Sequence, residues 1–363
     1  MKKTIIITTL ILLIILIITK CQFKKEMIEE TKGVFISYID YSKLKGKNEK
    51  EQKQIINNMI EKTTSLGLNT IILQVRPFAD AIYESKVFPA SEIVTENEKL
   101  NFDILKYFIN KSKEKNIKIY AWVNPYRISN EINKNSSFIE KYKDIICIEN
   151  GIYLNPSKEE SLKLILKGIE EIAKNYDINA IIYDDYFYPD ISCDKKNTED
   201  IKTFRINIIN NLLKETNKII KKTNKNILFG ISPSGNIENN LNNEYLDLEE
   251  VIKNKYIDFV IPQLYYGFDN QNKPFVKTLK VWNNYNINMY IALSLYKSGT
   301  IDKFAGTGSN EWIENDNILK RQIITSRNFS NYKGFFIFRY SYLEENNNSN
   351  LKNEINNIEK IIK

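Results

Sequence analysis

The chain has 363 residues, of which 42% are hydrophobic, enough for one large domain or two ordinary ones with a sizeable core. It contains no histidine and three scattered cysteines, which excludes Ser-His-Asp and Cys-His catalysis, His-ligated zinc and thiolate metal sites, so we expect no metal and no cofactor. The net charge of +7 is spread without a dense Lys/Arg block, which argues against nucleic-acid binding. Because the chain has no histidine, acid–base chemistry is left to Asp, Glu, Tyr or Lys.

Residues 1–21 are predicted to be a targeting segment that precedes the fold. Two lysines come before an apolar stretch over 4–19, a signal-peptide pattern that is short for a membrane span. Cys21 follows as in a bacterial lipoprotein signal, although Lys20 stands where such signals carry Gly or Ala. Lipidation of Cys21 and an uncleaved membrane anchor both remain open, and either exports the protein to the cell envelope. There, Cys147 and Cys193 could form a disulfide or stay as free thiols.

From residue 31 to residue 363, short apolar strands are predicted to alternate with amphipathic helices. Runs such as NTIILQV (69–75) and YIDFVIPQ (256–263) are almost continuously apolar, which is typical of parallel strands buried on both faces. The predicted strands are 33–39, 69–75, 117–123, 179–184, 227–232, 256–263, 288–294 and 334–340. The predicted helices are 51–66, 101–116, 158–175, 198–224, 247–254, 273–284, 311–330 and 346–362.

Eight strand–helix units in this length predict a (β/α)8 TIM barrel with enlarged loops. A doubly wound open sheet is the alternative, but no Gly-rich phosphate-binding turn follows the first strand. No internal repeat or long linker divides the chain, so we expect a single domain over 31–363 and a monomer. The Asn-rich stretches 236–243 and 346–350 are predicted to be surface loops.

The segment NAIIYDDYFYP (179–189) gives the strongest indication of function. The apolar run from Ala180 to Tyr183 is typical of a buried strand, and Asp184 and Asp185 follow it directly. Ionised carboxylates are costly at the end of a buried strand unless they are paired or hydrogen-bonded. Since barrel enzymes carry their catalytic groups at the carboxyl ends of the strands, the two aspartates are the candidate catalytic residues.

Other polar and aromatic side chains follow the predicted strands and share the same end of the barrel. The candidates for substrate binding are Gln74, Arg76, Asp80, Asn124, Tyr126, Arg127, Tyr186, Ser232, Gln263 and Tyr265. Each alone has a structural explanation, such as a turn or a packed ring. Together, amides, guanidinium groups, carboxylates and flat rings at one rim indicate a sugar-binding site.

Five blocks of this sequence resemble the signature blocks of the glycosyl hydrolase-like 10 family. They are QVRPFADAIYES (74–85), AWVNPYR (121–127), IIYDDYFYP (181–189), FGISPSG (229–235) and IPQLYY (261–266). The resemblance spans roughly residues 33–300 and implies a TIM-barrel glycosidase of the bacterial envelope. Members of the family are associated with peptidoglycan, and one branch cleaves glycan strands stripped of their stem peptides. The resemblance therefore implies a polysaccharide substrate of this kind.

The sequence departs from the family pattern at three positions. The family usually has glycine before its fourth strand and histidine or phenylalanine before the Asp pair, where this chain has Ala180 and Tyr183. The family often has tryptophan on the next helix, where this chain has Arg205. Arg205 joins the substrate-binding candidates because it is expected to reach toward the pair.

Two adjacent carboxylates fit a conventional glycosidase poorly, since neighbouring strand residues point to opposite faces. Conventional pairs lie about 5 Å apart for retention and about 6.5–9.5 Å apart for inversion, and the fifth strand ends in Ser-Pro-Ser without a Glu. Substrate assistance resolves this, because the acetamide oxygen of an N-acetylated sugar can attack the anomeric carbon. Asp185 is assigned as general acid and Asp184 as acetamide partner, with the reverse order open. In a conventional mechanism, Asp80 is the leading additional carboxylate.

Two other classes of function compete with a glycosidase. A non-catalytic, carbohydrate-binding envelope protein would keep the barrel and the aromatic rim. A metal-dependent deacetylase is disfavoured because the chain has no histidine.

Overall fold

The computed structural model describes residues 29–96, 99–194, 200–344 and 348–363. Its strands in chain order are β1 (Thr31–Ile36), β2 (Thr70–Arg76), β3 (Lys118–Val123), β4 (Arg127–Ser129), β5 (Ile146–Ile148), β6 (Ile152–Leu154), β7 (Ala180–Tyr183), β8 (Leu228–Ile231), β9 (Phe259–Val260), β10 (Asn288–Ser294) and β11 (Tyr332–Phe338). Eight of them form a closed barrel in the order β1-β2-β3-β7-β8-β9-β10-β11, and β11 pairs with β1. All eight pairings are parallel, so the predicted (β/α)8 barrel is confirmed.

Helices connect the barrel strands. They are α1 (Tyr38–Tyr41), α2 (Glu49–Ser65), α3 (Ile104–Lys113), α4 (Ser137–Lys141), α5 (Glu159–Asn175), α6 (Ile201–Thr223), α7 (Ile237–Asn242), α8 (Leu248–Lys253), α9 (Phe275–Asn283), α10 (Glu311–Glu314), α11 (Ile318–Ser326), α12 (Ser341–Glu344) and α13 (Ser349–Ile362). Several begin at a side chain that accepts a hydrogen bond from the backbone N–H three residues on, which satisfies a donor the helix leaves free. These caps are Asn48, Asp103, Asp200, Asp247 and Asn348.

The side chains of the barrel strands divide into two cores because alternate residues point to opposite faces. The inner core fills the barrel and contains Phe35, Ile72, Tyr120, Trp122, Ala180, Ile182, Phe259, Ile261, Ala292 and Phe336. The intervening residues, such as Val34, Ile71 and Ile181, face outward and pack with the helices in a larger core. This alternation decides which residues at the strand ends can face the barrel mouth.

At the carboxyl-terminal end of the barrel, the buried carboxylate of Asp40 connects the first and last strands through hydrogen bonds to the segments that follow them. Its Oδ2 accepts hydrogen bonds from the N–H and hydroxyl of Ser37, at 2.7 and 2.8 Å. Its Oδ1 accepts from Arg339 Nη1 at 3.0 Å and from the N–H of Ser341 at 2.9 Å. One carboxylate therefore joins the segment after the first strand to the segment after the last.

A small antiparallel sheet was not predicted from the sequence. Strands β4, β5 and β6 pair in the order β4-β6-β5 within the long connection between β3 and β7. A disulfide joins Cys147 in this sheet to Cys193 in the loop after β7, with the Cα atoms 6.1 Å apart. Of the two alternatives for these cysteines, the structure has the bonded one.

Three element predictions need correction. The Asn-rich stretch 236–243 contains the short helix α7 and is not only a loop. The predicted helix 311–330 is two helices, because α10 ends at Glu314 and α11 begins at Ile318. The predicted strand 256–263 is reduced to the two residues of β9, and Gln263 adds isolated bridges to Ser234 and Ala292.

Residues Thr31–Lys363 form one compact unit. The predicted targeting segment, including Cys21, lies outside the described residues. Among the residues that the structure does describe, no helix is long and apolar enough to span a bilayer.

Candidate active site

Asp184 lies at the mouth of the barrel, at the end of the inward-facing series of β7. Ala180 and Ile182 point into the barrel, and Asp184 continues their alternation one residue past the strand. Its carboxylate is 4% exposed and accepts a hydrogen bond from Trp122 Nε1 at 2.9 Å. Trp122 belongs to the same inner core on β3. A side chain of the barrel interior therefore orients the Asp184 carboxylate.

Further donors surround Asp184. The Asn124 amide nitrogen lies 3.3 and 3.4 Å from its two oxygens, and the backbone N–H of Tyr186 donates to Oδ1 at 3.4 Å. The amide oxygen of Asn124 accepts from the backbone N–H of Arg127 at 3.1 Å, which fixes the orientation of that amide. A carboxylate that accepts from several donors is stabilised in its ionised form.

Asp185 reaches the same rim because β7 ends at Tyr183 and the alternation of a regular strand stops there. A side-chain hydrogen bond links its carboxylate to Gln263, whose Nε2 also donates to the backbone oxygen of Ser232 at 3.1 Å. Ser232 is buried and uses its hydroxyl to donate to the backbone oxygen of Ile261 at 3.0 Å. Ser232 thus supports Gln263, and Gln263 contacts the Asp pair.

Burial raises the pKa values of both aspartates. The pKa of Asp184 is raised to about 7, first by burial and then by the charge of Asp185, while Arg127 and the Trp122 hydrogen bond oppose the rise. Burial also raises the pKa of Asp185, and the Gln263 hydrogen bond and Arg127 oppose it. Two carboxylates that repel each other in a buried site share a proton up to a higher pH than either would retain it alone. Such a pair can supply a general acid and an ionised carboxylate together.

Arg127 is held beside the pair by aromatic rings. Its guanidinium carbon lies 4.8 Å from the centre of the Phe78 ring and 4.9 Å from that of Tyr186, and its Nε donates to the Pro77 oxygen at 3.2 Å. Tyr186 is 55% exposed, so the other face of this stack is open to a ligand. The arrangement places a cation and a ring next to the two carboxylates.

A third carboxylate, Glu244, belongs to this site and was missed in the sequence. It lies in the loop between α7 and α8, far along the chain from the end of β8. A hydrogen bond from the backbone N–H of Phe187 and one from Asn239 Nδ2, at 3.5 Å, hold it there. Burial and then the charges of Asp185 and Asp184 raise the pKa of Glu244 to about 8. The signal was weak because Glu244 follows an Asn-rich stretch that is typical of a surface loop.

Two cavities flank the pair. The first, of about 470 Å³, is lined by Asn124, Tyr126, Arg127, Asn150, Tyr153, Tyr186, Tyr188, Pro189, Asp190, Arg205, Asn243, Glu244 and Tyr245. The second, of about 750 Å³, is lined by Ser234, Gly235, Gln263, Tyr265, Tyr266, Asn270, Asn272, Lys273, Lys297, Asp302, Lys303, Phe304 and Gly306. Asn124 connects Asp184 to the first cavity and Gln263 connects Asp185 to the second.

Arg76 does not join the Asp pair, contrary to the sequence expectation. The pairing of β2 with β3 shifts register between Gln74 and Arg76, which turns Arg76 to the outside of the barrel. There its guanidinium carbon lies 4.3 Å from the centre of the Phe88 ring and packs against Gly168 of α5. Gln74 does face inward but is buried, and its Oε1 accepts from the N–H of Tyr38 at 3.0 Å.

Arg205 does not contact the Asp pair either, because its guanidinium group forms an ion pair with Asp194. The Nε and Nη2 atoms of Arg205 donate to the two oxygens of Asp194, each at 2.9 Å, and Nη1 donates to the Tyr245 hydroxyl at 2.9 Å. Tyr188 donates to the same aspartate. This group forms a wall of the first cavity, so Arg205 borders the site without touching the pair.

The other three candidates have separate positions. Tyr126 is buried in the wall of the first cavity, and Tyr265 lines the second cavity with its ring centre 5.7 Å from that of Phe338. Asp80 lines a different cavity with Phe78 and Lys134, where burial raises its pKa to about 6. In the part of the chain that the structure describes, no group of three or more Cys, Asp or Glu residues is arranged to hold a metal ion.

Comparison with known proteins gives a family match over most of the chain. The model of the glycosyl hydrolase-like 10 family matches residues 30–305. The glycosyl hydrolase YngK of Bacillus subtilis (strain 168) is 29% identical over 348 residues, which cover 85% of this chain and 67% of YngK. The glycosyl hydrolase DigH of Escherichia coli (strain K12) is 23% identical over 341 residues, which cover 81% of this chain and 77% of DigH.

Solved structures share the barrel with this chain. An α-L-fucosidase, isoenzyme 2 from Paenibacillus thiaminolyticus, superposes with a TM-score of 0.59 at 11% identity and covers 92% of this chain and 49% of its own. An endo-1,4-β-mannanase from Rhizomucor miehei superposes with a TM-score of 0.56 at 10% identity and covers 92% of this chain and 94% of its own. At these identities the similarity is one of fold.

Proposed function

This chain belongs to the glycosyl hydrolase-like 10 family and is a glycosidase, and from that premise we propose that Asp184 and Asp185 catalyse the cleavage of an N-acetylated glycan of the bacterial envelope. The observation that carries the proposal is the unequal hydrogen bonding of two adjacent carboxylates, the buried Asp184 and the half-buried Asp185. Asp184 accepts from Trp122, Asn124 and the backbone N–H of Tyr186. Asp185 has fewer, namely the side-chain hydrogen bond of Gln263 and one from its own backbone N–H.

This inequality assigns the roles within the pair. The donors around Asp184 favour its ionised form, so Asp184 is the carboxylate that orients and polarises the acetamide. In the free enzyme the charge of Asp185 raises the pKa of Asp184, whereas the N–H of a bound acetamide would donate to Asp184 and lower that pKa. The shared proton then passes to Asp185, which donates it to the leaving oxygen as general acid. The acetamide oxygen then attacks the anomeric carbon, and an oxazolinium intermediate forms as the glycosidic bond breaks. Water opens that intermediate, and Asp185 accepts a proton from the water as general base.

The assignment is tested with two variants and two leaving groups. D185N should lower kcat on a natural glycan at least a hundredfold, on the scale of losing a general acid. It should keep much of its activity on an N-acetylhexosaminide with a dinitrophenyl leaving group, which departs without a proton. D184N should lose activity on both substrates, and the exposed Asp177, changed to Asn, is the matched control. Near-normal activity of D184N and D185N on the natural glycan contradicts the proposal.

Substrate assistance has its own test. A thiazoline that mimics the oxazoline should inhibit, because transition-state-like compounds bind more tightly than substrate. Strands from which the acetyl groups have been removed should resist cleavage. Equal rates on acetylated and de-acetylated strands of one length, without thiazoline inhibition, would instead indicate a conventional two-carboxylate mechanism.

Glu244 is the residue that a conventional mechanism would recruit, and Asp80 is not. Glu244 is electrostatically coupled to both aspartates and lines the first cavity. Asp80 lines another cavity with Lys134 and Phe78. This is a second candidate mechanism for the same reaction, and the comparison of acetylated with de-acetylated strands separates the two.

Peptidoglycan glycan strands are the substrate that we propose within this class, including strands without stem peptides. The proposal rests on the family and on a site made of aromatic rings, amides and carboxylates. Release of reducing ends from purified strands by the purified protein tests it. Binding without any release of reducing ends would mean that the protein binds these strands but cleaves another glycan.

An exported location, attached to the membrane, completes the proposal. The Cys147–Cys193 disulfide supports it, because disulfides persist in oxidising compartments. A fatty-acid probe should label the wild-type protein and not C21S if Cys21 carries a lipid. An unlabelled protein that retains its N-terminal methionine would indicate the uncleaved anchor.

A further inference from the structure

The lining of the second cavity includes both a neighbour of the Asp pair and an aromatic side chain that the proposed mechanism does not use. The neighbour is Gln263, which contacts Asp185, and the aromatic side chain is that of Phe304. Phe304 is 85% exposed, the largest exposed fraction among the large hydrophobic side chains of the described residues. An exposed phenylalanine forgoes the free energy that its burial would contribute, so one that lines a cavity is a candidate contact for a ligand.

The backbone fixes Phe304 in this exposed position. Its neighbours Asp302 and Ala305 are buried at 4% and 1% exposure, so the ring stands out between two anchored residues. The N–H of Phe304 donates to Asp302 Oδ1 at 3.2 Å, and its carbonyl accepts from Asn272 Nδ2 at 2.9 Å. The carbonyl of Ala305 accepts from the N–H of Gln271 at 2.9 Å. The loop thus presents the ring without any need to reorganise.

Two lysines give the same cavity a positive charge. Lys297 Nζ is engaged with Asp302 Oδ2 and with the Tyr265 carbonyl, each at 2.7 Å, so this pair is neutral overall. Lys273 and Lys303 also line the cavity, and among the described residues neither forms an ion pair. The cavity therefore combines an open aromatic face with two available ammonium groups.

We propose that this cavity is a subsite for a glycan residue that carries a carboxylate, with Phe304 stacking on the sugar ring and Lys273 and Lys303 binding the carboxylate. An aromatic ring suits the apolar face of a pyranose, and an ammonium group suits a carboxylate. The inference rests on the proposed function, since the subsite serves the same active site. It adds a selectivity for anionic strands that the Asp pair alone does not provide.

The test measures binding and turnover separately. Binding is measured with D185N as the background, on peptide-free peptidoglycan strands and on the same strands with their carboxyl groups reduced to alcohols by carbodiimide and borohydride. Adding F304A should weaken binding at least fivefold on both strands. Adding K273M and K303M together should weaken binding at least fivefold on the carboxylated strand and leave the reduced strand unchanged.

Turnover of the otherwise wild-type protein should show the same pattern as a rise in KM with little change in kcat, since these residues lie away from the reacting bond. Ile301→Ala is the control for Phe304, because Ile301 is 56% exposed in the same loop and does not line the cavity. Lys225→Met is the control for the lysines, because Lys225 is exposed on the turn before β8, at the opposite end of the barrel.

The outcomes separate this inference from the proposed function. Equal effects of F304A and I301A, or equal effects of the lysine variant on both strands, overturn the subsite even if the enzyme cleaves the strands. Strand binding that depends on Phe304 and the two lysines, without turnover by the wild type, keeps the subsite and overturns the proposal that the Asp pair cleaves these strands. A wild-type protein that neither binds nor cleaves the strands overturns both.

Discussion

Trp122 Nε1 donates a hydrogen bond of 2.9 Å to Asp184 Oδ2, so a residue of the barrel's inner core holds one member of the acidic pair. The Trp122 ring is itself held by Phe35, whose ring centre lies 5.7 Å away in an edge-to-face arrangement. The orientation of Asp184 therefore depends on the packing of the barrel and not on the mobility of a loop. This contact yields the first prediction.

W122F should lower kcat by roughly 10–100-fold, because a hydrogen bond to a charged group contributes about 1.5–3 kcal/mol and Phe keeps the packing but not the donor. Loss of that donor should also raise the pKa of Asp184, since the bond stabilises its ionised form. Steady-state kinetics over a pH series measure both effects. Trp312→Phe, a buried tryptophan of the outer core, is the control. Equal losses in the two variants would mean that the effect is only one of packing.

Arg127 should set the pH dependence of the reaction. Its charge lowers the pKa of both Asp184 and Asp185, so removing it should raise both values. R127Q should therefore shift both limbs of the pH profile of kcat/KM to higher pH. R127K keeps a positive charge and should keep the wild-type limbs, although its affinity can fall because it loses the stacking on Tyr186. An unchanged profile in R127Q would contradict this electrostatic role.

In the wild-type enzyme, the alkaline limb of the kcat/KM profile should lie near pH 7–8. The pKa of Asp184 is raised to about 7 and that of the neighbouring Glu244 to about 8, so the shared proton is lost from the site only in this range. A general acid with an ordinary pKa would lose its proton well below this range. Activity that falls already at pH 5 would therefore contradict the proton-sharing pair.

Glu244 should tune the pair without reacting with the sugar, if the mechanism is substrate-assisted. The pKa of Glu244 is raised to about 8, so Glu244 is protonated at neutral pH and E244Q imitates that form. The kcat at pH 6 should therefore stay within about tenfold, and the alkaline limb should follow the Asp pair alone. Glu238→Gln, an exposed residue of α7, is the control. Two results together would make Glu244 the nucleophile of a conventional mechanism. They are a fall in kcat of a hundredfold or more in E244Q, and rescue of E244A by azide with formation of a glycosyl azide.

The sequence predicted the barrel and the acidic pair because both depend on local patterns. Continuous apolar runs indicate strands buried on two faces, and the residues that follow them must meet at one rim. The structure places four of these residues together at the rim, where Asn124 donates to Asp184 and Gln263 donates to Asp185. For these residues, position relative to the strand end was sufficient.

The remaining differences come from contacts that local patterns do not contain. Arg76 would face the pair in a regular strand, but the register shift after Gln74 turns it outward. Arg205 was expected to reach toward the pair, but Asp194, which lies in no recognisable motif, binds its guanidinium group. Glu244 reaches the pair only because the loop between α7 and α8 folds back over the barrel mouth. Each case depends on tertiary structure.

The Cys147–Cys193 disulfide should stabilise both the fold and the first cavity. It closes a loop of 46 residues, and cross-links of this kind contribute about 2–4 kcal/mol to the free energy of unfolding. Cys193 is also next to Asp194, which binds Arg205 in the wall of that cavity. C147S/C193S should therefore unfold at a lower urea concentration and show a higher KM, with kcat less affected.

Reductant provides the matched comparison for this last prediction. Dithiothreitol should bring the wild-type protein to the urea midpoint of C147S/C193S and should leave the double variant itself unchanged. Titration of the unfolded, unreduced protein with a thiol reagent should find neither Cys147 nor Cys193 reactive. Two reactive thiols at these positions, with no effect of reductant on the wild-type midpoint, would mean that the cysteines are free and would remove the support that the disulfide gives to an exported location.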